Sequence, residues 1–182
     1  MLDLIPMSDL VCLRSGEMAF DPRADSLQPL RHELFKIRGK GAGWECVYFL
    51  GQTKACSIYG HRPSECRSLS CAETGGILLV MNTPTLSRAD VVMQGSGLWE
   101  CIEEHESRFP VGLAMSLASS KQAGKFAISH ELDRLIHLEQ SFRQSLGEKV
   151  QARDQDLWAY LGRPLWLVLA PLNPAFLCYE PS

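Results

Sequence analysis

Four cysteines in the first half of the chain carry side chains suited to holding a metal. Cys46, Cys56 and Cys66 follow one another at intervals of ten residues, and Cys71 comes five residues later. Four thiolates satisfy tetrahedral zinc and also the corners of an iron-sulfur cluster. The chain lacks the paired C-x2-C hooks usual in zinc sites, and wide spacing suits the larger perimeter of a cluster. We therefore predict one metal centre here, with a [4Fe-4S] cluster favoured and zinc as the alternative.

The residues between these cysteines suggest how the centre would be supported. Arg62 and Arg67 flank the thiolates, so their fixed charge can offset the negative charge of a thiolate-bound centre and donate hydrogen bonds to sulfur. Tyr59 is expected to anchor the second ligand beside the core. Pro63 suits the first turn of a helix that carries Cys66. Tyr59, Arg62 and Arg67 are therefore predicted to contact the cofactor.

Residues 56–67 also carry a family signature. Their sequence, Cys-Ser-Ile-Tyr-Gly-His-Arg-Pro-Ser-Glu-Cys-Arg, resembles the C-x-I-Y-x-x-R-P-x-x-C-R pattern of the YkgJ-type cysteine-cluster family at every defined position. Members of that family carry a CxxCxxCC domain described as zinc- or iron-chelating. Cys46, followed by Val-Tyr-Phe, resembles the preceding ligand of the family, and Cys71 resembles a variant of the ligand that follows. The resemblance implies metal chelation at these cysteines and no particular reaction.

The chain departs from the family at the motif that gives it its name. That motif would fall at residues 12–19, where Ser15, Met18 and Ala19 stand in place of three of the four cysteines. Only Cys12 remains. It is either a fifth candidate ligand or a buried thiol, since unpaired cysteines are commonly interior.

Composition limits the partners and the compartment. The net charge is −3 and the pI is near 5.9, so the chain has no overall positive field to attract nucleic acid. The N-terminus lacks the pattern of a secretory signal, and the longest apolar run, 165–170, is too short to cross a membrane. Seven cysteines, an odd number, are not expected to form disulfides in a reducing compartment. We predict a cytoplasmic protein whose partner is another protein, with no nucleic acid and no membrane insertion.

The pattern of apolar residues and breakers predicts a mostly α fold with few short strands. An irregular Cys-rich metal-binding lobe is expected over 1–82, with a helical region over 83–182 packed on it as one compact unit. A short helix is predicted over 30–37, and the C-terminal residues from 163 onward are expected to be extended. The longer helices are predicted over 88–107, 111–119, 129–146 and 154–161.

Three other candidate residues are predicted to have structural roles. His105, among Glu103, Glu104 and Glu106, is expected on a solvated helix face, because neighbours along a helix point in different directions. Cys101 and Cys178 are expected to pack in the core.

These features favour a metal-binding protein with an accessory, redox or electron-transfer role. Two alternatives remain open from the sequence. One is an iron-sulfur-dependent enzyme acting on a protein or small substrate, for which no catalytic residue can be named. The other is an interaction module in which zinc only contributes folding energy.

Overall fold

The computed structural model describes residues 5–40, 44–68, 84–119 and 128–181. Short antiparallel strand pairs form the described part up to residue 56, in which β1 pairs with β4, β2 with β3, β5 with β6 and β7 with β8. The strands are β1 (Leu10–Leu13), β2 (Met18–Asp21), β3 (Ser26–Pro29), β4 (Leu34–Ile37), β5 (Gly39–Lys40), β6 (Glu45–Cys46), β7 (Phe49–Leu50) and β8 (Ala55–Cys56).

The prediction of a mostly α fold with an irregular Cys-rich lobe is wrong. The described residues between 10 and 56 form three hairpin-like pairs and one pair of strands distant in sequence, β1 with β4, and β4 lies where a helix was predicted over 30–37. Each strand has only two to four residues, which is too few for an alternating pattern to stand out in the sequence. A metal-binding lobe is not shown within the described residues either.

Turn chemistry explains the best-formed hairpin, β2 with β3. The carboxylate of Asp21 accepts a hydrogen bond from the backbone N–H of Arg23 at 2.8 Å, which is an Asx turn. Asp25 then adopts φ +48°, a left-handed conformation that aspartate tolerates. The two strands are therefore joined by local bonds, and they contribute no buried residue.

Helices form most of the rest of the described chain. They are α1 (Ser64–Ser68), α2 (Arg88–Val91), α3 (Gly97–Arg108), α4 (Val111–Ser119), α5 (His130–Val150), α6 (Trp158–Leu161) and α7 (Leu165–Leu169). Four 3-10 turns accompany them at Met7–Asp9, Tyr59–His61, Asp154–Leu157 and Pro174–Tyr179. None of the described helices is both long and apolar enough to cross a bilayer.

The helix predicted over 88–107 is divided in two. Gly95 adopts φ +77°, which interrupts helical geometry between α2 and α3. Ser96 then caps α3 by accepting a hydrogen bond from the N–H of Trp99 at 3.2 Å. The capping box predicted at Ser87 and Asp90 is present and starts α2.

Two further differences between the predicted and the observed helices concern α5 and α7. Ser129 caps α5 as predicted, but the helix continues through Gly147 and ends at Gln151, whose φ is +55°. Gly147 serves packing, because a Cβ there would lie 2.8 Å from the carbonyl oxygen of Ala152. The segment after Pro164, predicted to be extended, forms α7, since proline suits the start of a helix.

Two apolar clusters form the core, and both are dominated by the helices. The larger joins α4, α5, α7 and the C-terminal turn, and the smaller joins α2, α3 and α6. Strand β1 packs against α6 and supplies the only buried residues of any described strand, Val11 and Cys12.

Buried charges join the strand region to the helices. Arg14, which follows β1 and is fully buried, forms two hydrogen bonds with the carboxylate of Glu106 on α3, at 2.8 and 3.1 Å. Arg88 on α2 pairs with the same carboxylate at 2.9 Å and also with Glu33. Although partial burial acts in the opposite direction, the charges of Arg14 and Arg88 lower the pKa of Glu106, so it is ionised at neutral pH. Two arginines and two carboxylates thus compensate one another.

Replacing the shared carboxylate tests this junction. Glu106→Gln leaves buried Arg14 without a carboxylate partner and buried Arg88 with Glu33 alone, and we expect it to lower the free energy of unfolding by about 2 kcal/mol. That value is below the cost for a fully buried pair because the side chain of Glu106 is 33% exposed. The control Glu104→Gln breaks an exposed pair with Arg108 and should cost less than about 0.5 kcal/mol. Equal urea midpoints for the two variants would contradict the assigned role.

His105 belongs to a second buried charge cluster and does not lie on the predicted solvated face. Its ring is fully buried, with Phe109 and Phe142 centred 5.4 and 5.5 Å away. Nε2 lies 3.2 Å from the carboxylate of Glu139, which also pairs with buried Arg143. Burial lowers the pKa of His105 to about 4. Despite burial, Arg143 and His105 lower the pKa of Glu139 to about 2.

The lowered pKa of His105 predicts a loss of stability in mild acid. Unfolding returns the ring to an ordinary value of 6.5, so the unfolded chain gains a proton that the folded chain does not take up until pH falls toward 4. Stability should therefore fall with pH below 6.5, with a limiting slope of about 1.4 kcal/mol per pH unit. Urea unfolding between about pH 7.5 and 5 should show this slope in the wild type and in His137→Gln, and lose it in His105→Gln. The same slope in His105→Gln would refute the assignment.

Candidate metal centre

The described cysteines of the predicted site lie on three successive local elements. Cys46 is on β6, Cys56 on β8 and Cys66 on α1. Cys46 is exposed, whereas Cys56 and Cys66 are half-buried. Cys71 lies outside the described residues. The helix predicted to follow Pro63 and carry Cys66 is present as α1.

The described residues do not by themselves assemble a ligand shell. Within the described ranges, no three His, Cys, Asp or Glu side chains are grouped closely enough to hold a metal ion. A zinc site or cubane cluster needs four donors, and the predicted set includes Cys71. The four-cysteine centre therefore stays a prediction.

Arg62 organises the turn between the second and third cysteines. Its guanidinium lies 3.6 Å from the centre of the Tyr59 ring, a cation–π contact. Nε donates to the carbonyl of Tyr59 at 3.0 Å, and Nη1 donates to the carbonyl of Cys66 at 3.4 Å. Arg67 donates in turn to the carbonyl of Arg62 at 2.9 Å. These bonds fix the path of the chain into α1.

Tyr59 differs from the prediction in one respect. Its side chain was expected beside the core, but it is 66% exposed, with Arg62 against its ring. The Tyr-x-x-Arg-Pro sequence thus forms a local structural unit, in which the arginine packs on the tyrosine ring. The conformation of the segment that carries Cys66 depends on this unit and on no apolar core.

Three side chains attach the cysteine-bearing segment, residues 44–68, to the rest of the protein, and sequence reasoning missed them. Trp44 stacks on Trp158 of α6 with ring centres 6.1 Å apart, and the guanidinium of Arg163 lies 5.0 Å from the centre of the Trp44 ring. Tyr48 donates a hydrogen bond to Asp9 at 2.5 Å. Just before the segment, Arg38 donates to Gln155 at 2.8 Å. The signal in the sequence was the pair of aromatic residues on either side of Cys46, Trp44 and Tyr48, since large aromatic side chains dominate the energetics of packing.

Tyr48 is a permanent hydrogen-bond donor at this attachment. Burial, the hydrogen bond to Asp9 and the negative charges of Asp9 and Cys46 all raise its pKa above the ordinary value. The hydroxyl therefore remains protonated at neutral pH.

None of residues 44–68 is buried. The strand pair β7 with β8, strand β6, a 3-10 turn and a short helix are thus maintained over this segment without a core of their own. An isolated two-stranded hairpin is at best marginally stable in water. Covalent or coordinate bonds are the usual substitute for a core in small or irregular segments.

Cys12 is a buried thiol, which decides between the two interpretations left open by the sequence. It is 1% exposed on β1, and burial raises its pKa to about 12. A thiol that cannot ionise near neutral pH and lies inside the fold is not placed to bind an external metal. Cys101 and Cys178 were both predicted to pack in the core. Cys101 is half-buried, whereas Cys178 is exposed.

The comparisons with known proteins identify no relative. No protein-family profile, curated protein or solved structure matches the chain. The resemblance of residues 56–67 to the YkgJ-type family therefore stays a prediction.

Thiol labelling tests the assignment of Cys12. In metal-free protein at about pH 8, we expect iodoacetamide to modify exposed Cys178 readily and Cys12 about a thousandfold more slowly, because a pKa near 12 leaves almost no thiolate. Peptide mass spectrometry would measure both rates in one sample. Labelling in urea is the control, since unfolding should make the two rates similar. Comparable rates in the folded protein would show that Cys12 is accessible.

Proposed function

We propose that the chain binds one metal centre through the thiolates of Cys46, Cys56, Cys66 and Cys71. A [4Fe-4S] cluster is the favoured occupant, and zinc is the alternative. The proposed role is accessory, redox or electron transfer, carried out with another protein in the reducing cytoplasm. Such a centre would supply electron exchange if it is a cluster, and folding energy alone if it is zinc.

The observation that carries the proposal is the absence of any buried residue over 44–68. This segment holds three of the four cysteines on defined elements, yet no apolar core explains their order. Coordinate bonds from thiolates to a metal can provide that order. Because metal binding commonly completes folding, the donors need not be grouped before the metal arrives.

The surrounding residues suit a thiolate centre. The cation of Arg62, held between the ring of Tyr59 and the carbonyl of Cys66, remains close to the third ligand. Arg67 lies next to that ligand in the chain. Fixed positive charges beside a thiolate centre offset its negative charge and raise its reduction potential. We assign this tuning role to the two arginines and a supporting role to Tyr59.

Exposure favours exchange with a protein partner. Cys46 is exposed, and the 3-10 turn at Tyr59–His61 presents exposed side chains on the same segment. A centre near the surface is within reach of an electron donor or acceptor, whereas a deeply buried one is not. The three attachment contacts of Trp44, Tyr48 and Arg38 would keep the centre at a fixed position on the helical body.

Anaerobic purification with metal analysis tests the proposal. We expect broad absorbance at roughly 400 nm, together with iron and acid-labile sulfide, in the wild-type protein. Cys66→Ser should lose both the absorbance and the metal. Cys178→Ser is the matched control, because it removes an exposed cysteine outside the segment, and it should keep the wild-type metal content.

The possible outcomes separate the alternatives. Colourless protein with one zinc that is lost in Cys66→Ser would select the zinc-stapled module. Metal retained in Cys66→Ser, or lost equally in Cys178→Ser, would contradict the assigned ligands. No iron and no zinc in the wild-type protein would refute the proposal.

A further inference from the structure

A cavity alongside α5 lies outside the cysteine-bearing segment. Its volume is about 510 Å³, within the range of small-molecule sites. One wall is a face of α5, and the other consists of residues around Pro164, Trp166 and Pro181. The polar side chains of the α5 wall are His137, Gln140, Ser141, Arg143, Gln144 and Glu148.

The two glutamines present acceptors. The amide nitrogen of Gln140 donates to the backbone carbonyl of Tyr179 at 2.5 Å, and that of Gln144 donates to the carboxylate of Glu148 at 2.9 Å. A carbonyl or carboxylate oxygen can only accept, so the orientation of both amides is fixed. Each side-chain carbonyl oxygen is then left as an acceptor.

Ser141 and His137 also use a donor within the protein and keep an acceptor. The hydroxyl of Ser141 donates to the carbonyl of His137 at 2.9 Å, so its oxygen keeps only lone pairs for another partner. Nδ1 of His137 lies 2.9 Å from the carbonyl of Asp133 and must carry the hydrogen of that bond. In the neutral ring Nε2 is then an acceptor. Each of these four side chains of the α5 wall thus uses one donor within the protein and keeps an acceptor, although each glutamine amide has a second N–H.

The charged residues of the cavity also favour a cationic ligand over an anionic one. Arg143 is the one cation of the lining, and it pairs with Asp154 at 3.1 Å and with buried Glu139. Glu148, also in the lining, has no cationic partner among the described residues. Asp154 therefore offsets Arg143, and Glu148 leaves the lining with one uncompensated negative charge. Trp166 adds an indole N–H, but the excess of negative charge decides which ligand charge is favoured.

We propose that this cavity binds a primary alkylammonium group. The ammonium supplies three donors and a positive charge, which complement the carboxylate of Glu148 and the side-chain oxygen of neighbouring Gln144. Pro164, Pro181 and the indole of Trp166 provide apolar contact for the methylenes of the alkyl chain. Both a free aliphatic amine and a lysine side chain of a partner protein have this chemistry.

Titration of the full chain with small amines tests the proposal. The probes are n-butylammonium, 1,4-diaminobutane and Nα-acetyl-lysine methylamide, with butyrate as the anionic counterpart of the first. Binding would be followed by the NMR signal of the Trp166 indole, assigned with Trp166→Phe. We expect saturable shifts at millimolar amine, as suits so small a ligand, and no saturable shift with butyrate.

Three variants separate specific binding from general attraction. Glu148→Gln removes the uncompensated charge and should raise the dissociation constant for butylammonium roughly fivefold. Ser141→Leu fills the cavity without altering charge and should abolish binding. Glu131→Gln is the matched control, because it removes an exposed carboxylate from α5 outside the cavity, and it should bind as the wild type does.

The outcomes either support or contradict the binding of an alkylammonium group in this cavity. Tighter binding of the lysine derivative would assign it to a lysine-bearing partner, and tighter binding of diaminobutane would assign it to a free amine. Equal binding by Ser141→Leu, equal weakening by Glu131→Gln, or saturable binding of butyrate would overturn the proposal. So would the absence of saturable shifts with every amine in folded wild-type protein.

Discussion

The carboxylate of Glu106 on α3 is the group on which the described fold most depends. It receives Arg14 from the strand region and Arg88 from α2, and both guanidiniums are buried. Arg14 also donates to the carbonyl of Phe109 at the end of α3, and its side chain passes so close to Gly162 that a Cβ there would lie 2.4 Å from Cδ of the arginine. Because buried charges are tolerated only in compensated sets, these positions constrain one another. The junction fixes where β1 lies on the helices, and β1 carries the buried Cys12.

The cysteine-bearing segment, residues 44–68, differs from this junction because it is not stabilised by buried groups. It has no buried residue, and its position depends on the stack of Trp44 on Trp158 and on the hydrogen bond from Tyr48 to Asp9. Trp158 is itself held by a hydrogen bond of 2.8 Å from its indole to Asp154, which also pairs with Arg143. The segment is therefore attached to a part of the helical body that a hydrogen bond and an ion pair hold in place. A region without a core on a rigid support is well suited to acquire its final order from a metal.

The sequence predicted helix caps more reliably than it predicted strands or burial. Ser87 and Ser129 were identified from local hydrogen-bonding chemistry, which acts over a few residues and is visible in the sequence. The short strands up to Cys56 were missed because strands this short leave no periodic signal. His105 was placed on a solvated face because three glutamates surround it in the sequence. Its burial depends on Glu139 and Arg143 from α5, and such distant partners cannot be found from one sequence alone. For the candidate site, the Arg62 and Pro63 frame and the helix of Cys66 were predictable locally, whereas the anchors at Asp9 and Trp158 were not.

Hydrogen exchange with and without metal tests most directly whether the order of residues 44–68 comes from a metal centre. The protein would be compared as purified without oxygen and after removal of metal by a chelator, with peptides from α3 and α5 as internal references. We expect chelation to remove exchange protection in the peptides covering 44–68 and to leave the peptides of the two helices unchanged. Unchanged protection over 44–68 after verified loss of the metal would contradict it, because the segment would then be ordered by its side-chain contacts alone.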